Sequence, residues 1–159
     1  MKFKLVYIVH LVILIITGCV YFLAIHRLIN FLKLGGFDGY DYYGAVYLIQ
    51  RTKLLFTVIL ITFPFIGIFF KNKYGWIFIS FYFYFTIWNV VFQFCKEGLD
   101  DLESILLKMF FISIFGLLEV IMNTKRVSLF YYKTDKDKLL GFNIISFAIG
   151  TCASLFFTV

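Results

Sequence analysis

The sequence predicts an all-α fold: a polytopic integral membrane protein whose 159 residues form a single transmembrane helical domain. Hydrophobic residues make up 62% of the chain, which leaves too little polar surface for a soluble domain of this length. The apolar residues are also contiguous, in five runs that approach or exceed the ~18–20 residues needed to cross a hydrocarbon core of about 30 Å. A membrane β-barrel is disfavoured, because its strands would alternate apolar and polar residues.

Each run is interpreted as one spanning helix, and in chain order the five transmembrane helices cover residues 5–32, 54–70, 74–94, 104–122 and 139–159. The second and third are separated only by Lys71-Asn72-Lys73, so they form an antiparallel hairpin. Pro64, the only proline, has no backbone N–H to donate and is expected to kink the second helix. The fifth run carries polar residues and would leave four spanning helices if it lay in the membrane interface. Its lack of charged residues favours a fifth span.

Two features near the carboxyl terminus predict local structure. Thr134 and Asp137 have the spacing of a capping box before the fifth helix. Within that helix, small and polar residues recur along one face, and such a face allows close approach to a neighbouring helix. The residues of this face are Asn143, Ser146, Gly150 and Ser154.

The distribution of Lys and Arg predicts the orientation. With the amino terminus in the cytoplasm, nine of these residues lie in inside segments and four in outside segments, in agreement with the positive-inside rule. The carboxyl terminus of this multi-pass protein of the cell membrane is then outside. The net charge of +6 is explained by orientation and anionic headgroups rather than by nucleic-acid binding. The inside group is Lys2, Lys4, Lys71, Lys73, Lys125, Arg126, Lys133, Lys136 and Lys138, and the outside group is Lys33, Arg51, Lys53 and Lys96.

Glu119 is the most informative polar residue, since a carboxylate in lipid is costly unless it is paired or protonated. Gly116, Glu119 and Asn123 share one face of the fourth helix, which predicts that this face looks into the bundle. His10 lies at similar depth on the first helix, and we predict an intramembrane polar pair between His10 and Glu119. Two interpretations stay open: interhelical hydrogen bonding that holds the bundle together, which we favour, and a proton-sensitive or ion-binding pair.

The longest outside segment, residues 33–53, is the candidate interaction loop. It combines glycines with aromatic residues and two carboxylates, and the candidate contact residues are Asp38, Tyr40, Asp41, Tyr42 and Tyr43. Tyrosine suits adaptable protein contact because it offers a large contact area at low entropic cost. An aromatic belt resting at the membrane interface explains the same residues equally well. Two carboxylates are too few for a calcium site, and we predict neither a metal nor a cofactor.

Three classes of function remain in competition. An enzyme is not expected, because membrane enzymes need paired carboxylates, a metal cluster or a nucleophile with its base; a small intramembrane enzyme stays an alternative. A subunit of a membrane transporter or channel complex is a second alternative, since five helices without an inverted repeat make a poor autonomous transporter. The favoured class acts by protein–protein interaction with another membrane-embedded protein in the lipid bilayer. One concrete case is a bacterial immunity protein against a pore-forming toxin, and an oligomer is compatible with each class.

Overall fold

The computed structural model describes residues 4–34, 54–97 and 102–158, and these residues form helices and no strand. Five α-helices follow one another along the chain: α1 (Lys4–Leu34), α2 (Leu54–Phe69), α3 (Lys73–Glu97), α4 (Leu102–Asn123) and α5 (Leu139–Thr158). A π-helix (Arg126–Tyr131) and a short 3-10 helix (Lys136–Lys138) connect α4 to α5. The predicted all-α bundle is confirmed, and each α-helix begins and ends within three residues of its predicted bounds.

α3 lies at the centre of the bundle, because it packs against α2, α4 and α5. α1 packs against α2 and also contacts α4 and the π-helix. In the core, Phe83 of α3 is fully buried and its ring centroid lies 5.7 Å from that of Phe115 of α4. Large apolar side chains such as Phe22, Phe110 and Phe156 are exposed on the outer faces. Helices that are apolar on both faces are typical of membrane spans, whose outer surface contacts lipid.

The helices differ in whether their length suits a membrane span. Four segments are long and apolar enough to cross: Val6–His26, Lys73–Lys96, Leu102–Asn123 and Lys136–Phe156. α2 has 16 residues and so extends about 24 Å, against a hydrocarbon core of about 30 Å. The described chain therefore holds four or five spanning helices. The sequence marked the last helix as the doubtful one, whereas the structure makes α5 a full-length apolar helix and α2 the short element.

The predicted hairpin between α2 and α3 is confirmed, and a side chain caps its turn. Asn72 Oδ1 accepts hydrogen bonds from the backbone N–H groups of Tyr74 at 3.0 Å and Gly75 at 3.3 Å. These two donors belong to the first turn of α3, where no intrahelical acceptor exists. Gly67 lets the helices meet, because a Cβ there would lie 2.9 Å from the carbonyl oxygen of Gly75. α2 stays helical through Pro64.

The connection between α4 and α5 folds back against the bundle and buries Tyr132 completely. The hydroxyl of Thr134 donates a hydrogen bond to the carbonyl oxygen of Ser128, in the π-helix, at 2.7 Å. The predicted capping box of Thr134 and Asp137 is wrong, because Thr134 does not occupy the N-cap position and its hydroxyl is directed at the π-helix. The residue at the N-cap of the 3-10 helix is Asp135, which makes no side-chain capping bond.

The small-residue face of α5 makes a close helix contact, as predicted, and the neighbouring helix is α3. Ser146 and Ser154 are fully buried, and Gly150 lies between them. A Cβ on Gly150 would lie 2.9 Å from the backbone nitrogen of Phe85 and 3.0 Å from the carbonyl oxygen of Phe81. The two helix backbones therefore approach so closely that glycine is the residue that fits.

Candidate functional site

Glu119 on α4 is buried, with 6% of its surface exposed, so its predicted inward orientation is confirmed. Its Oε1 accepts a hydrogen bond of 2.8 Å from the side-chain amide of Asn123, four residues further along the helix. The same amide nitrogen donates to the backbone carbonyl of Glu119 at 3.0 Å. Residues four apart are neighbours on a helix surface, so this contact is local to the last turn of α4.

Asn143 of α5 extends the contact into a network across three helices. Its amide nitrogen donates to Oδ1 of Asn123 at 2.6 Å, which joins α5 to α4. Its own Oδ1 accepts a hydrogen bond of 3.3 Å from the hydroxyl of Tyr84 on α3. Amide side chains suit this role because each carries both donors and an acceptor. We call Tyr84, Glu119, Asn123 and Asn143, together with Ser80, the polar network.

Ser80 completes the polar network from the centre of the bundle. It is fully buried on α3, and Ser80 and Tyr84, one turn apart, both face the Glu119 carboxyl. Its hydroxyl and the second carboxyl oxygen of Glu119, Oε2, make no well-aligned hydrogen bond, although the hydroxyl lies against the carboxyl. The side chains that surround the carboxyl are neutral. The polar network thus joins three helices and holds two buried oxygens, Ser80 Oγ and Glu119 Oε2, that lack a well-aligned hydrogen bond.

The predicted pairing of His10 with Glu119 is not formed. His10 Nε2 lies 2.8 Å from the hydroxyl oxygen of Tyr132, and its ring meets that of Tyr131 edge-on at 5.6 Å. The prediction matched the depths of two helices but omitted the connection after α4, which inserts Tyr132 beside α1. The carboxyl of Glu119 instead accepts a hydrogen bond from Asn123, one turn further along α4. His10 and Glu119 are both buried, but they belong to separate hydrogen-bonded groups.

The direction of the hydrogen bond between Tyr132 and His10 depends on which ring nitrogen of His10 carries the proton. Tyr132 lies in the connection between α4 and α5, and burial raises the pKa of its hydroxyl well above the usual range. The hydroxyl therefore keeps its proton at ordinary pH and donates it to Nε2 when the imidazole proton is on Nδ1. Sequence reasoning missed Tyr132, Tyr84 and Ser80. An aromatic residue among many carries no signal of its partner. Asn143, near the start of α5, matches Asn123, at the end of α4, in depth, so this contact was within reach of the sequence.

The remaining predicted site residues lie outside the described residues. They are Asp38, Tyr40, Asp41, Tyr42 and Tyr43 of the candidate interaction loop, and their role stays a prediction. In residues 4–34, 54–97 and 102–158, no group of three or more His, Cys, Asp or Glu side chains is placed to hold a metal ion.

Double-mutant cycles test whether the pair of His10 and Tyr132 is separate from the polar network that contains Glu119. We expect His10→Ala and Glu119→Ala to destabilise additively, within about 0.3–0.5 kcal/mol, because they share no partner. His10→Ala combined with Tyr132→Phe should instead show a coupling of about 0.5–1.5 kcal/mol, the scale of hydrogen bonds between membrane helices. The measurement is the free energy of unfolding in mixed micelles. A coupling between His10 and Glu119 as large as that between His10 and Tyr132 would contradict the observed pairing.

No protein-family model, curated protein or solved structure matches this chain. The fold and the long apolar helices define the class of the molecule, which is a multi-pass helical membrane protein.

Proposed function

We propose that this protein acts by binding another membrane-embedded protein and has no catalytic site. The observation that supports the proposal is that its buried polar side chains hydrogen-bond to one another. Glu119, Asn123, Asn143 and Tyr84 bind one another across α3, α4 and α5. In the same way His10 binds Tyr132. Because these polar groups hydrogen-bond to one another between helices, they favour a structural role for the interior. Recognition of the partner is then assigned to residues on the surface.

The concrete form of the proposal is a bacterial immunity protein that blocks a pore-forming toxin within the cell membrane. Such a role requires a shaped surface in the bilayer and no reacting group. The candidate interaction loop supplies contact residues of suitable chemistry, namely Asp38, Tyr40, Asp41, Tyr42 and Tyr43. Tyrosines give large contact area, and the two carboxylates favour a partner surface with cationic residues.

The proposal needs the candidate interaction loop on the outside, and the distribution of Lys and Arg supports this orientation. Basic residues around the α2–α3 turn and along the connection between α4 and α5 would then face the cytoplasm. Reporter fusions after Lys73 and after Val159 test it. We expect a cytoplasmic signal at Lys73 and an outside signal at Val159, and the reverse pair of signals would invert the topology.

Photo-crosslinking tests the partner directly. A photoreactive residue in place of Tyr42 is expected to trap one discrete membrane polypeptide, whereas the same residue in place of Leu140 is expected to trap none. Leu140 is a suitable control because its side chain is 72% exposed at the start of α5, at the opposite end of the helices. Adducts of equal yield from both positions, or lipid adducts alone from Tyr42, would contradict the proposal.

A subunit of a membrane transport complex is the second candidate function. The observation that favours it is the buried carboxyl of Glu119 itself, which faces the hydroxyls of Ser80 and Tyr84 and whose Oε2 makes no well-aligned hydrogen bond. Intramembrane carboxyl groups of this kind mark ion and proton pathways in transporters. The two candidates differ in their dependence on Glu119: transport requires a group that ionises, whereas interhelical hydrogen bonding tolerates glutamine.

A further inference from the structure

One end of the bundle, which holds the α2–α3 turn and the connection between α4 and α5, is strongly basic. Residues 71–73 and 124–138 carry seven basic side chains and two carboxylates, all of them exposed. One carboxylate is paired, since Lys138 Nζ lies 3.1 Å from Asp135 Oδ2. α1 begins at this end, and residues 1–5 contain no Asp or Glu. The basic side chains are Lys71, Lys73, Lys125, Arg126, Lys133, Lys136 and Lys138.

The π-helix in this connection has two faces of different character. Val127 and Ser128 are fully buried against the bundle. The backbone N–H of Tyr132 donates to the carbonyl oxygen of Val127, five residues back, at 3.0 Å, the spacing of a π-helix. Phe130 is 72% exposed, and Arg126, about one turn earlier, is exposed as well. The outward face therefore presents a large apolar ring beside a guanidinium group.

The position of the π-helix places this face at the membrane boundary. The connection starts directly after α4 and leads into α5, and both helices are long and apolar enough to span. It is also held against the bundle, by the contact of Tyr132 with His10 and by the bond from Thr134 to Ser128. A segment held in this way between two spanning helices lies where the hydrocarbon core meets the headgroups.

The cations near the π-helix remain available to an anion. Lys125, Arg126 and Lys133 are exposed. Lys71 of the α2–α3 turn lies 6.0 Å from the centre of the Tyr131 ring, so the turn and the connection form one surface. A cation–π contact leaves the positive charge of the ammonium group in place.

The combination of charge and apolar surface identifies the kind of partner. An acidic water-soluble protein would match the cations, but an exposed aromatic ring among basic residues is typical of segments that lie in a membrane interface. There the ring contacts the acyl boundary, and Lys and Arg contact anionic headgroups.

We propose that the π-helix is an interfacial binding site for anionic phospholipids, in which Phe130 inserts at the acyl boundary and Lys125, Arg126 and Lys133 bind the phosphates. The lipids belong to the leaflet that contains the α2–α3 turn. The site is independent of the proposed binding of a membrane protein through the candidate interaction loop, which plays no part in it.

The depth of Phe130 provides the first test. The full-length protein, with Cys19, Cys95 and Cys152 replaced by alanine, is reconstituted into vesicles of dioleoylphosphatidylcholine and dioleoylphosphatidylglycerol. A spin label attached to Phe130→Cys should collide more with oxygen than with a water-soluble nickel reagent, and a label on Lys136→Cys should show the reverse. Equal access of the nickel reagent to both labels, as expected of a surface that waits for a soluble partner, would overturn the proposal. Protection of position 130 from both reagents would overturn it too.

Lipid preference provides the second test, measured by native mass spectrometry as the ratio of the two lipids retained by the protein. The wild-type protein should prefer the phosphatidylglycerol. Arg126→Gln combined with Lys133→Gln should lower this preference by about fivefold or more, the effect of one cation near the headgroups. The control pair, Lys96→Gln with Lys108→Gln, removes the same charge from the opposite end and should keep the preference. An unchanged preference in the first pair, or an equal loss in both pairs, would overturn the proposal, and the depth measurement decides it if a double variant fails to fold.

Discussion

Replacing Trp76 by alanine is expected to lower the free energy of unfolding by about 3–5 kcal/mol, the range for removal of a large aromatic side chain from a packed core. Trp76 lies in the first turn of α3 and is fully buried. Its indole N–H donates a hydrogen bond of 3.0 Å to the carbonyl oxygen of Met122. That carbonyl belongs to the last turn of α4, where backbone acceptors have no intrahelical donor. Alanine would therefore leave a cavity and a buried carbonyl without its partner.

Unfolding in mixed micelles, followed by circular dichroism, measures this loss. Trp88→Ala is the matched control on the same helix, because Trp88 is only partly buried, stacks on Phe92 and meets Phe147 edge-on near the lipid-facing surface. Trp88→Ala should lower the free energy of unfolding clearly less than Trp76→Ala does. Trp76→Phe keeps most of the volume and separates the packing from the hydrogen bond, which contributes about 1 kcal/mol. Equal losses for Trp76→Ala and Trp88→Ala would contradict the position assigned to Trp76.

Gly150→Ala is expected to destabilise the bundle by about 1–3 kcal/mol, the usual cost of overpacking a close contact. A Cβ at this position would meet the backbone nitrogen of Phe85 and the carbonyl oxygen of Phe81, and backbone atoms cannot move aside as a flexible side chain can. α3 and α5 would have to separate, which would stretch the hydrogen bond between Tyr84 and Asn143.

Gly141→Ala is the matched control, since it lies on the same helix and a Cβ there would meet nothing within 4 Å. Alanine is the better helix former by about 1 kcal/mol, so this change should be neutral or stabilising. The measurement is again the free energy of unfolding. If both substitutions had the same effect, the close approach of α3 and α5 would be wrong.

The helices could be predicted from the sequence because charged and polar residues bound each apolar run, and hydrocarbon thickness sets the length of a span. The inward face of Glu119 and the small-residue face of α5 followed from helical periodicity in the same way. These are properties of single helices. They require no knowledge of which helix is the neighbour.

Partners were harder to predict, because depth along two helices does not specify their rotation or adjacency. His10 and Glu119 matched in depth, yet Tyr132 reaches His10 from the connection after α4. In the same connection, Thr134 does not form its predicted cap, and its hydroxyl donates a hydrogen bond to the carbonyl oxygen of Ser128. In each case a tertiary contact decides the outcome.

One comparison tests the central claim most directly, which is that the polar network holds helices together while the candidate interaction loop binds the partner. Glu119→Gln keeps an acceptor for the Asn123 amide, so the fold should persist. Simultaneous alanine substitution at Tyr40, Asp41, Tyr42 and Tyr43 is expected to leave the described helices folded, because none of these residues belongs to them. The measurement is the amount of partner protein, identified by crosslinking, that co-purifies with each variant. The account predicts wild-type recovery with Glu119→Gln and loss of the partner with the four alanines; retention by the four alanines together with loss in a folded Glu119→Gln variant would contradict it.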